Sequence, residues 1–220
     1  MLDHGAGTGL TTQLLLTSLP GLDVVLLDPN AELLSALPLS IAGRRVIGTA
    51  DCLTADDGMF ELVVSNLVLP FCSDAAADLR QMLFHTAPGG VLVATTLGGA
   101  ADVTPFYRYW AAVADVVSGG WQPERYAHFR FGDPGEFATT VTSAGWRVES
   151  VAEVRTARRI NATNAWKWLS SVLPTGVDDA YRALTVDEFT AVERVFLQRW
   201  SQESKWLSAG WTLTARAPKT

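Results

Sequence analysis

The chain has few of the residues that build disulfide frameworks, metal clusters or nucleic-acid surfaces. Its 220 residues include only two cysteines, Cys52 and Cys72, which favours a reducing, cytoplasmic compartment and predicts no metal ligand set. Lysine and arginine total 17 against 23 acidic residues, whereas a nucleic-acid-binding domain carries a basic face. The apolar runs are far shorter than a membrane span, and no signal segment opens the chain. We therefore expect no nucleic-acid partner and no membrane span.

What the sequence does contain is typical of a globular enzyme-sized domain. Hydrophobic residues make up 48% of the chain and charged residues 18%, a balance that separates folded from disordered chains. A chain of this length buries a substantial core. We expect one α/β domain spanning residues 1–220.

The most informative stretch is the beginning of the chain, where three alternating glycines follow an acidic residue. Asp3 precedes Gly5, Gly7 and Gly9, and a helical pattern follows them. A glycine turn between a strand and a helix allows a ligand to approach the backbone closely, and it predicts available N–H groups at the helix N-terminus. The dinucleotide fingerprint needs a further glycine where Leu10 stands. The spacing therefore favours a different cofactor.

Two later acidic residues follow predicted strands. Asp28 closes an apolar run about twenty residues past the last glycine, where a carboxylate can accept hydrogen bonds from ribose hydroxyls. Pro29 then stands at the predicted first position of a helix. Asp51 and Cys52 follow a third strand candidate, residues 44–49. The alternatives are that Asp28 caps a helix and that Asp51 is an ordinary turn residue.

Residues 60–67 predict a fourth strand that ends in small polar residues and a leucine. Ligands in open α/β sheets bind beyond the carboxyl ends of the strands, so Ser65 and Asn66 should face the pocket. Ser73 is the predicted cap of the next helix. A tight turn at residues 88–90 then leads into a fifth strand ending at Leu97.

In this order, the glycine motif, Asp28, Asp51, the fourth strand and the segment 88–97 resemble the class I S-adenosylmethionine-dependent methyltransferases. The resemblance covers about half of the chain and is strongest to the small-molecule branch, which includes malonyl-carrier-protein O-methyltransferases and quinone C-methyltransferases. It implies S-adenosylmethionine as cofactor. In that family the acid before the glycines acts on the methionine part, and the position of Asp51 hydrogen-bonds the adenine amino group. The implied cofactor-binding residues are Asp3, Gly5, Ala6, Gly7, Gly9, Asp28, Pro29, Asp51, Cys52, Asn66 and Leu67.

The predicted fold is a doubly wound, Rossmann-like α/β sheet of seven mostly parallel strands. The alternation at residues 211–217 predicts a last strand that is antiparallel and lies at an edge. The first strand is predicted to be short, because only Met1 and Leu2 precede Asp3. Members of the resembled family carry further elements before this point, so we expect an N-terminally truncated chain that folds marginally and binds cofactor weakly.

The second half of the chain predicts the cover of the site. Residues 101–131 are rich in aromatic side chains and follow the fifth strand. They are interpreted as a substrate lid, with a helix and loop that simply bury aromatics as the alternative. His128 in this segment is a weak candidate for a general base. Residues 155–208 are predicted to form a helical insertion before the last strand.

The chemistry implied is methyl transfer to an oxygen or carbon atom of a small, partly apolar acceptor, free or carrier-bound. The sulfonium is already reactive, so the protein mainly aligns the two reactants. The Asn-Pro-Pro-aromatic signature of amino-methyltransferases is absent, because Leu67 and Val68 follow Asn66. Two alternatives stay open at this point. One is a non-catalytic cofactor-binding or scaffold protein, and the other is a nicotinamide-dependent oxidoreductase.

Overall fold

The computed structural model describes residues 1–98, 105–116, 130–172, 184–200 and 205–219. Strands and helices alternate along the first half, as the sequence predicts. The strands are β1 Leu2–His4, β2 Val25–Asp28, β3 Arg44–Ile47, β4 Phe60–Asn66, β5 Thr86–Leu97, β6 Arg147–Arg159 and β7 Lys205–Arg216. The helices in the described part are α1 Leu10–Ser18, α2 Ala31–Ser35, α3 Ala75–Phe84, α4 Pro105–Val116, α5 Pro134–Ser143, α6 Ala162–Val172 and α7 Val186–Arg199.

The strands form one seven-stranded sheet in the order β3-β2-β1-β4-β5-β7-β6. Strands β1 to β5 pair in parallel, and the helices between them make the crossovers that parallel pairing requires. The backbone N–H of Ala217, next to the end of β7, donates to the carbonyl of Gly90 near the start of β5 at 2.9 Å. The end of β7 thus lies beside the start of β5. β7 therefore runs antiparallel. The predicted doubly wound, mostly parallel fold is confirmed.

The position of β7 differs from the prediction. It lies between β5 and β6, so β6 and not β7 is the last strand of the sheet on that side. The edge assignment was inferred from alternating side chains. Alternation reports how the two faces of a strand are covered, and it carries no information on whether both edges are paired.

β1 is short, as predicted, and it is nevertheless central. Its three residues pair with β2 on one side and with β4 on the other, so that Asp3 lies opposite both Leu26 and Val64. Leu2 is completely buried. β1 thus places its carboxyl end, and the glycine loop that follows, in the middle of the sheet.

Two helix starts lie later than predicted. Pro29 precedes α2 instead of opening it, because the side chain of Asn30 caps this helix by accepting from the N–H groups of Glu32 and Leu33. α3 is capped by Asp74, whose carboxylate accepts from Ala77 N–H, and not by Ser73. Asparagine and aspartate at these positions take over the cap because they reach the unpaired N–H groups of the first turn.

The predicted turn at residues 88–90 is part of a strand. β5 begins at Thr86 and continues through Pro88 and both glycines. Its pairing with β4 shifts register between Phe60 and Leu62, so the extra residues form an irregularity of the bulge type. Proline lacks the donor for a regular ladder and Gly89 has a φ of +77°, which explains why the segment bulges.

The chain divides into two compact units. The first comprises Met1–Thr96, Asp133–Ala152 and Trp211–Thr220, and the second comprises Leu97–Gly132 and Glu153–Gly210. In the second unit, Tyr109 of α4, Trp166 of α6 and Phe196 of α7 form a buried aromatic cluster, with the Tyr109 and Trp166 rings stacked at 5.4 Å. These helices therefore share one apolar core.

The lid segment 101–131 and the insertion 155–208 remain predictions. Much of the former, His128 included, lies outside the described residues. Tyr109, which belongs to the lid segment, is fully buried within the second unit. Within the described part of the chain, no helix combines the length and apolar character needed to cross a membrane.

Candidate functional site

The glycine loop after β1 is held by hydrogen bonds to the neighbouring strand. The N–H groups of Gly5 and Ala6 both donate to the carbonyl of Leu27, at 2.8 and 3.0 Å, and Gly9 N–H donates to Ala6. Gly7 N–H donates to the carboxylate of Asp28 at 2.8 Å. The expectation that these amides are available to a ligand is therefore wrong for all four. A phosphate group would find them already engaged, because a helix N-terminus binds anions only through unpaired N–H groups.

The loop still leaves space for a ligand at one glycine. Gly5 has a φ of +71°, and a Cβ atom there would lie 2.2 Å from Val68, so this glycine allows a side chain of the chain itself to approach. Gly7 has a φ of +52°. The atom nearest to a Cβ added at Gly7 would be the carbonyl oxygen of Gly5, at 4.0 Å. The space beside Gly7 is therefore open on the side where a side chain would project. This opening fits the close backbone approach that a bound cofactor needs.

Asp28 stands at the carboxyl end of β2 and is largely buried. Its Oδ2 accepts from Gly7 N–H and its Oδ1 accepts from Asn30 N–H, each at 2.8 Å. A carboxylate offers about four acceptor positions, so two remain after these bonds. Asp28 thus fixes the glycine loop and retains the capacity to accept from a pair of hydroxyl groups.

Asp3 lies beneath the loop and is almost inaccessible, with 1% of its surface exposed. Its Oδ2 accepts from the hydroxyl of Thr12, at 2.5 Å, which joins β1 to α1. Burial raises the pKa of the Asp3 carboxyl above its ordinary value, and the hydrogen bonds from Thr12 lower it in part. The structure therefore gives Asp3 a role in holding α1. Its predicted action on the methionine part of the cofactor stays a prediction.

A cavity of about 510 Å³ opens beside the loop, within the range of small-molecule sites. Three of the predicted cofactor residues, Gly5, Pro29 and Asp51, contribute to its wall. Among the residues that the structure describes, three carboxylates line it and no lysine or arginine does. The described lining residues are His4, Gly5, Leu27, Pro29, Gly48, Thr49, Asp51, Val68, Phe71, Cys72, Ser73, Asp74, Ala77, Asp78 and Gln81. The cavity is therefore electrostatically suited to a neutral or cationic ligand.

Asp51 and Cys52 belong to a short helical turn after β3, and only Asp51 lines the cavity. The Asp51 carboxylate accepts from the hydroxyl of Thr49 and is exposed, so it presents acceptor atoms at the cavity wall. Cys52 is exposed and does not line the cavity. Its sulfur would lie 2.3 Å from a Cβ added to Gly48. Contact between Cys52 and a purine remains a prediction.

The end of β4 contains a hydrogen-bonded set of polar groups and a strained leucine. The amide of Asn66 donates to the hydroxyl of Thr11 at 3.2 Å and its carbonyl oxygen accepts from Thr95. Leu67 has a φ of +60°, and its N–H donates to the Thr95 hydroxyl. A bulky residue in the left-handed region is uncommon and tends to mark functional sites. Asn66 and Leu67 therefore stay candidates, although neither lines the cavity.

Ser65 does not face the cavity as predicted. It is completely buried and its hydroxyl lies 3.0 Å from Nδ1 of His4. The other ring nitrogen of His4 lies 3.7 Å from the Asp78 carboxylate. Burial raises the pKa of Asp78, but the hydrogen bonds from His4 and Cys72 lower it by a larger amount. The net pKa is therefore below the ordinary value. Sequence reasoning missed this cluster, although His4 stands inside the glycine motif.

The comparisons with known proteins agree with the fold. A family model described as a methyltransferase domain matches residues 2–92. The chain is 33% identical over 119 residues to a malonyl-[acyl-carrier protein] O-methyltransferase of Halorhodospira halophila, covering 52% of this chain and 40% of that protein. It is 31% identical over 156 residues to a demethylmenaquinone methyltransferase of Mycolicibacterium gilvum, covering 66% of this chain and 67% of that protein.

Among solved structures, the fold is similar to that of a putative methyltransferase from Bacillus halodurans. The TM-score is 0.63 at 15% identity, and the match covers 99% of this chain and 91% of that one. At this identity the likeness concerns the fold alone. The chain spans less than two thirds of the Halorhodospira relative's length.

Proposed function

Because the chain belongs to the class I S-adenosylmethionine-dependent methyltransferases, we propose that it transfers a methyl group from S-adenosylmethionine to a small acceptor. The observation that carries this proposal is the pairing of the glycine loop with Asp28 at the centre of the sheet. It places an open backbone position and a buried carboxylate at the carboxyl ends of β1 and β2, where ligands of doubly wound sheets bind.

The charge of the cavity supports this cofactor over a nicotinamide dinucleotide. Among the residues that the structure describes, Asp51, Asp74 and Asp78 line the cavity and no lysine or arginine does. The N–H groups of Gly5, Ala6, Gly7 and Gly9 are engaged within the chain. A pyrophosphate would have neither cationic nor N–H partners on these residues. S-adenosylmethionine contains no phosphate and carries a positive sulfonium, which an acidic cavity attracts.

Different residues of the chain would bind different parts of the cofactor. The remaining acceptor positions of Asp28 would receive the two ribose hydroxyls, and Asp51 would accept from the adenine amino group at the cavity wall. Gly7 would allow the cofactor to cross the loop, and Asn66 and Leu67 would border the reacting end. When bound, S-adenosylmethionine supplies an activated methyl group. The contribution of the protein is then alignment of the acceptor and exclusion of water.

We propose an oxygen or carbon atom of a small, partly apolar molecule as the acceptor. The two curated relatives described above are named for methylating a malonyl group on an acyl carrier protein and a demethylated menaquinone. Both names describe small acceptors, one of them carried on a protein. The acidic net charge of −6 is consistent with such acceptors and unfavourable for a nucleic-acid substrate.

Titration calorimetry with S-adenosylmethionine, S-adenosylhomocysteine and NAD tests the cofactor assignment. We expect saturable binding of the first two and none of NAD, and we expect Asp28→Asn to weaken the binding. Methyl transfer is then measured with labelled cofactor against a panel of free carboxylic acids, malonyl-carrier protein and quinols. Binding of NAD alone would contradict the proposal. Cofactor binding without transfer to any acceptor would support the non-catalytic alternative.

A further inference from the structure

Three side chains of different metal-binding types meet at one end of the cavity. They are His4, Cys72 and Asp78, and their donor atoms all lie within 4.8 Å of one another. Nε2 of His4 is 3.7 Å from Oδ2 of Asp78. An imidazole, a thiol and a carboxylate are the three ligand types that zinc takes in proteins. All three line the cavity proposed for the cofactor, but none is among the residues proposed to contact it.

Regular structure determines the positions of two of these ligands, His4 and Asp78. His4 is the last residue of β1, at the centre of the sheet, and only 3% of it is exposed. Asp78 lies in the first turns of α3, and Cys72 follows the short helical turn Leu69–Phe71 between β4 and α3. The cluster is therefore assembled by the packing of α3 against the sheet. A site built on such elements is more precise than one formed by surface loops.

A second residue orients the imidazole. The hydroxyl of Ser65, completely buried on β4, lies 3.0 Å from Nδ1 of His4. In the metal-free chain Nε2–H of His4 donates to Asp78. In the tautomer that binds a metal, Nδ1–H donates to the Ser65 hydroxyl oxygen and Nε2 presents its lone pair. Imidazoles that bind metals are commonly held in this way, with the second ring nitrogen donating to a fixed acceptor.

The distance between His4 and Asp78 is close to that in a tetrahedral site. With zinc–ligand bonds of about 2.0–2.3 Å, neighbouring donor atoms lie about 3.3–3.6 Å apart. The His4–Asp78 separation of 3.7 Å approaches this value, and the sulfur of Cys72 lies within 4.8 Å of both donor atoms. The cavity provides the room for a fourth ligand, because all three residues line it.

We propose that His4, Cys72 and Asp78 form a binding site for one Zn²⁺ ion, with the fourth position open to the cavity. The thiol of Cys72, whose sulfur lies 3.6 Å from the carbonyl oxygen of Val68, binds as the thiolate, and its proton is released to solvent. Magnesium and calcium are disfavoured because the cluster offers them a single oxygen-bearing side chain.

The test uses the purified chain, freed of metal with a chelator and titrated with Zn²⁺ against a chromophoric competitor. We expect one equivalent to bind with release of protons. Cobalt(II), which substitutes for zinc, should give visible absorption of a tetrahedral centre and a thiolate-to-cobalt charge-transfer band. Cys72→Ser should remove that band, and Ser65→Ala should weaken zinc binding about 10–100-fold, as loss of an orienting partner does.

Cys52→Ser is the matched control, because Cys52 is exposed and lies outside the cluster. It should retain the stoichiometry, the affinity and the cobalt band of the unaltered chain. The proposal is overturned if the unaltered chain binds no stoichiometric zinc, if its cobalt spectrum has no thiolate band, or if Cys52→Ser removes the band. These readouts need no methyl transfer, so they are independent of the proposed function. If Cys72→Ser fails to fold, a thiolate band that persists in Cys52→Ser still assigns the ligand to Cys72, because the chain has only two cysteines.

Discussion

The carboxylate of Asp28 accepts a hydrogen bond from the backbone N–H of Gly7 at 2.8 Å. This bond joins the end of β2 to the glycine loop that follows β1, in the middle of the sheet. The residue predicted to hold the ribose therefore also shapes the loop on which the cofactor would lie. Stability and cofactor binding should consequently be lost together when this carboxylate is removed.

Asp28→Ala should lower the free energy of unfolding by about 1.5–3 kcal/mol, because the Gly7 and Asn30 N–H groups lose a charged acceptor. Urea unfolding measures this effect. Asp56→Ala is the control, since Asp56 is an exposed carboxylate in a turn outside the loop, and it should change stability by less than about 0.5 kcal/mol. Repeating the unfolding with S-adenosylmethionine should stabilise the unaltered chain more than Asp28→Ala. Equal stability of the two variants would contradict the structural role of Asp28.

The hydrogen bond between Thr12 and Asp3 is the second target. Thr12→Val keeps the shape of the side chain and removes the donor, leaving a fully buried carboxylate with one partner fewer. We expect a loss of about 1–3 kcal/mol in unfolding free energy and a further rise in the pKa of Asp3. Thr12→Ser should restore most of the stability.

Thr17→Val is the control for this substitution, because Thr17 lies on the same helix, is exposed and donates only within α1. Chemical denaturation of the three variants separates loss of the buried bond from loss of a hydroxyl as such. If Thr12→Val were as stable as Thr17→Val, the bond to Asp3 would contribute nothing to folding.

A third prediction concerns the last glycine of the loop. Gly9 has a φ of +75°, and an added Cβ would lie 2.5 Å from Leu37 and 2.8 Å from Ile41. Gly21 has a similar φ of +88° with nothing within 4 Å of an added Cβ. Gly21→Ala should therefore lose only the conformational term of about 1–2 kcal/mol. Gly9→Ala should lose about 1–3 kcal/mol more through overpacking. Thermal unfolding of the two variants compares them, and equal losses would show that the side chains of Leu37 and Ile41 move aside freely.

Much of the fold could be predicted because its signals are local. Apolar runs, helical periodicity and the glycine spacing each lie within a few residues, and the strand order follows once these units alternate. The short β1 was equally visible from the position of Asp3. The helix starts were predicted least well. Asn30 caps α2, which was predicted to begin at Pro29, and Asp74 caps α3 in place of Ser73, because the side chains of Asn30 and Asp74 accept from N–H groups of the first turn.

The site could be predicted less completely because its contacts are made between distant elements. The sequence shows that Gly5 is a glycine, but it does not show that the Leu27 carbonyl on a neighbouring strand engages its N–H. The cluster of His4, Ser65 and Asp78 joins β1, β4 and α3, and no spacing rule connects these residues. The alternation of apolar and polar side chains along β7 likewise does not indicate which strands pair with its two edges.

The last prediction concerns the capping box at the start of α7. The Glu188 carboxylate accepts from the backbone N–H and the hydroxyl of Thr185, at 2.8 and 2.9 Å. The Thr185 hydroxyl in turn accepts from Glu188 N–H. The bonds from Thr185 hold the pKa of Glu188 below its ordinary value. Thr185→Ala should raise this pKa because it removes the hydroxyl that donates to the carboxylate. Side-chain carbon NMR during an acid titration measures the change, and Thr185→Ser should keep the low pKa.

The sign of the accompanying stability change follows from the direction of the shift. A carboxyl whose pKa is depressed in the folded state stabilises the fold above its unfolded pKa, about 4.3 for glutamate. That contribution is lost as the pH falls through the folded pKa. The difference in unfolding free energy between the unaltered chain and Thr185→Ala should therefore be largest near neutral pH and shrink below about pH 4. The side chain at this position cannot ionise in the variant Glu188→Gln. The difference in unfolding free energy between Glu188→Gln and the double variant Glu188→Gln/Thr185→Ala should therefore stay the same as the pH falls. A constant difference across the titration would mean that the box does not depend on the charge of Glu188.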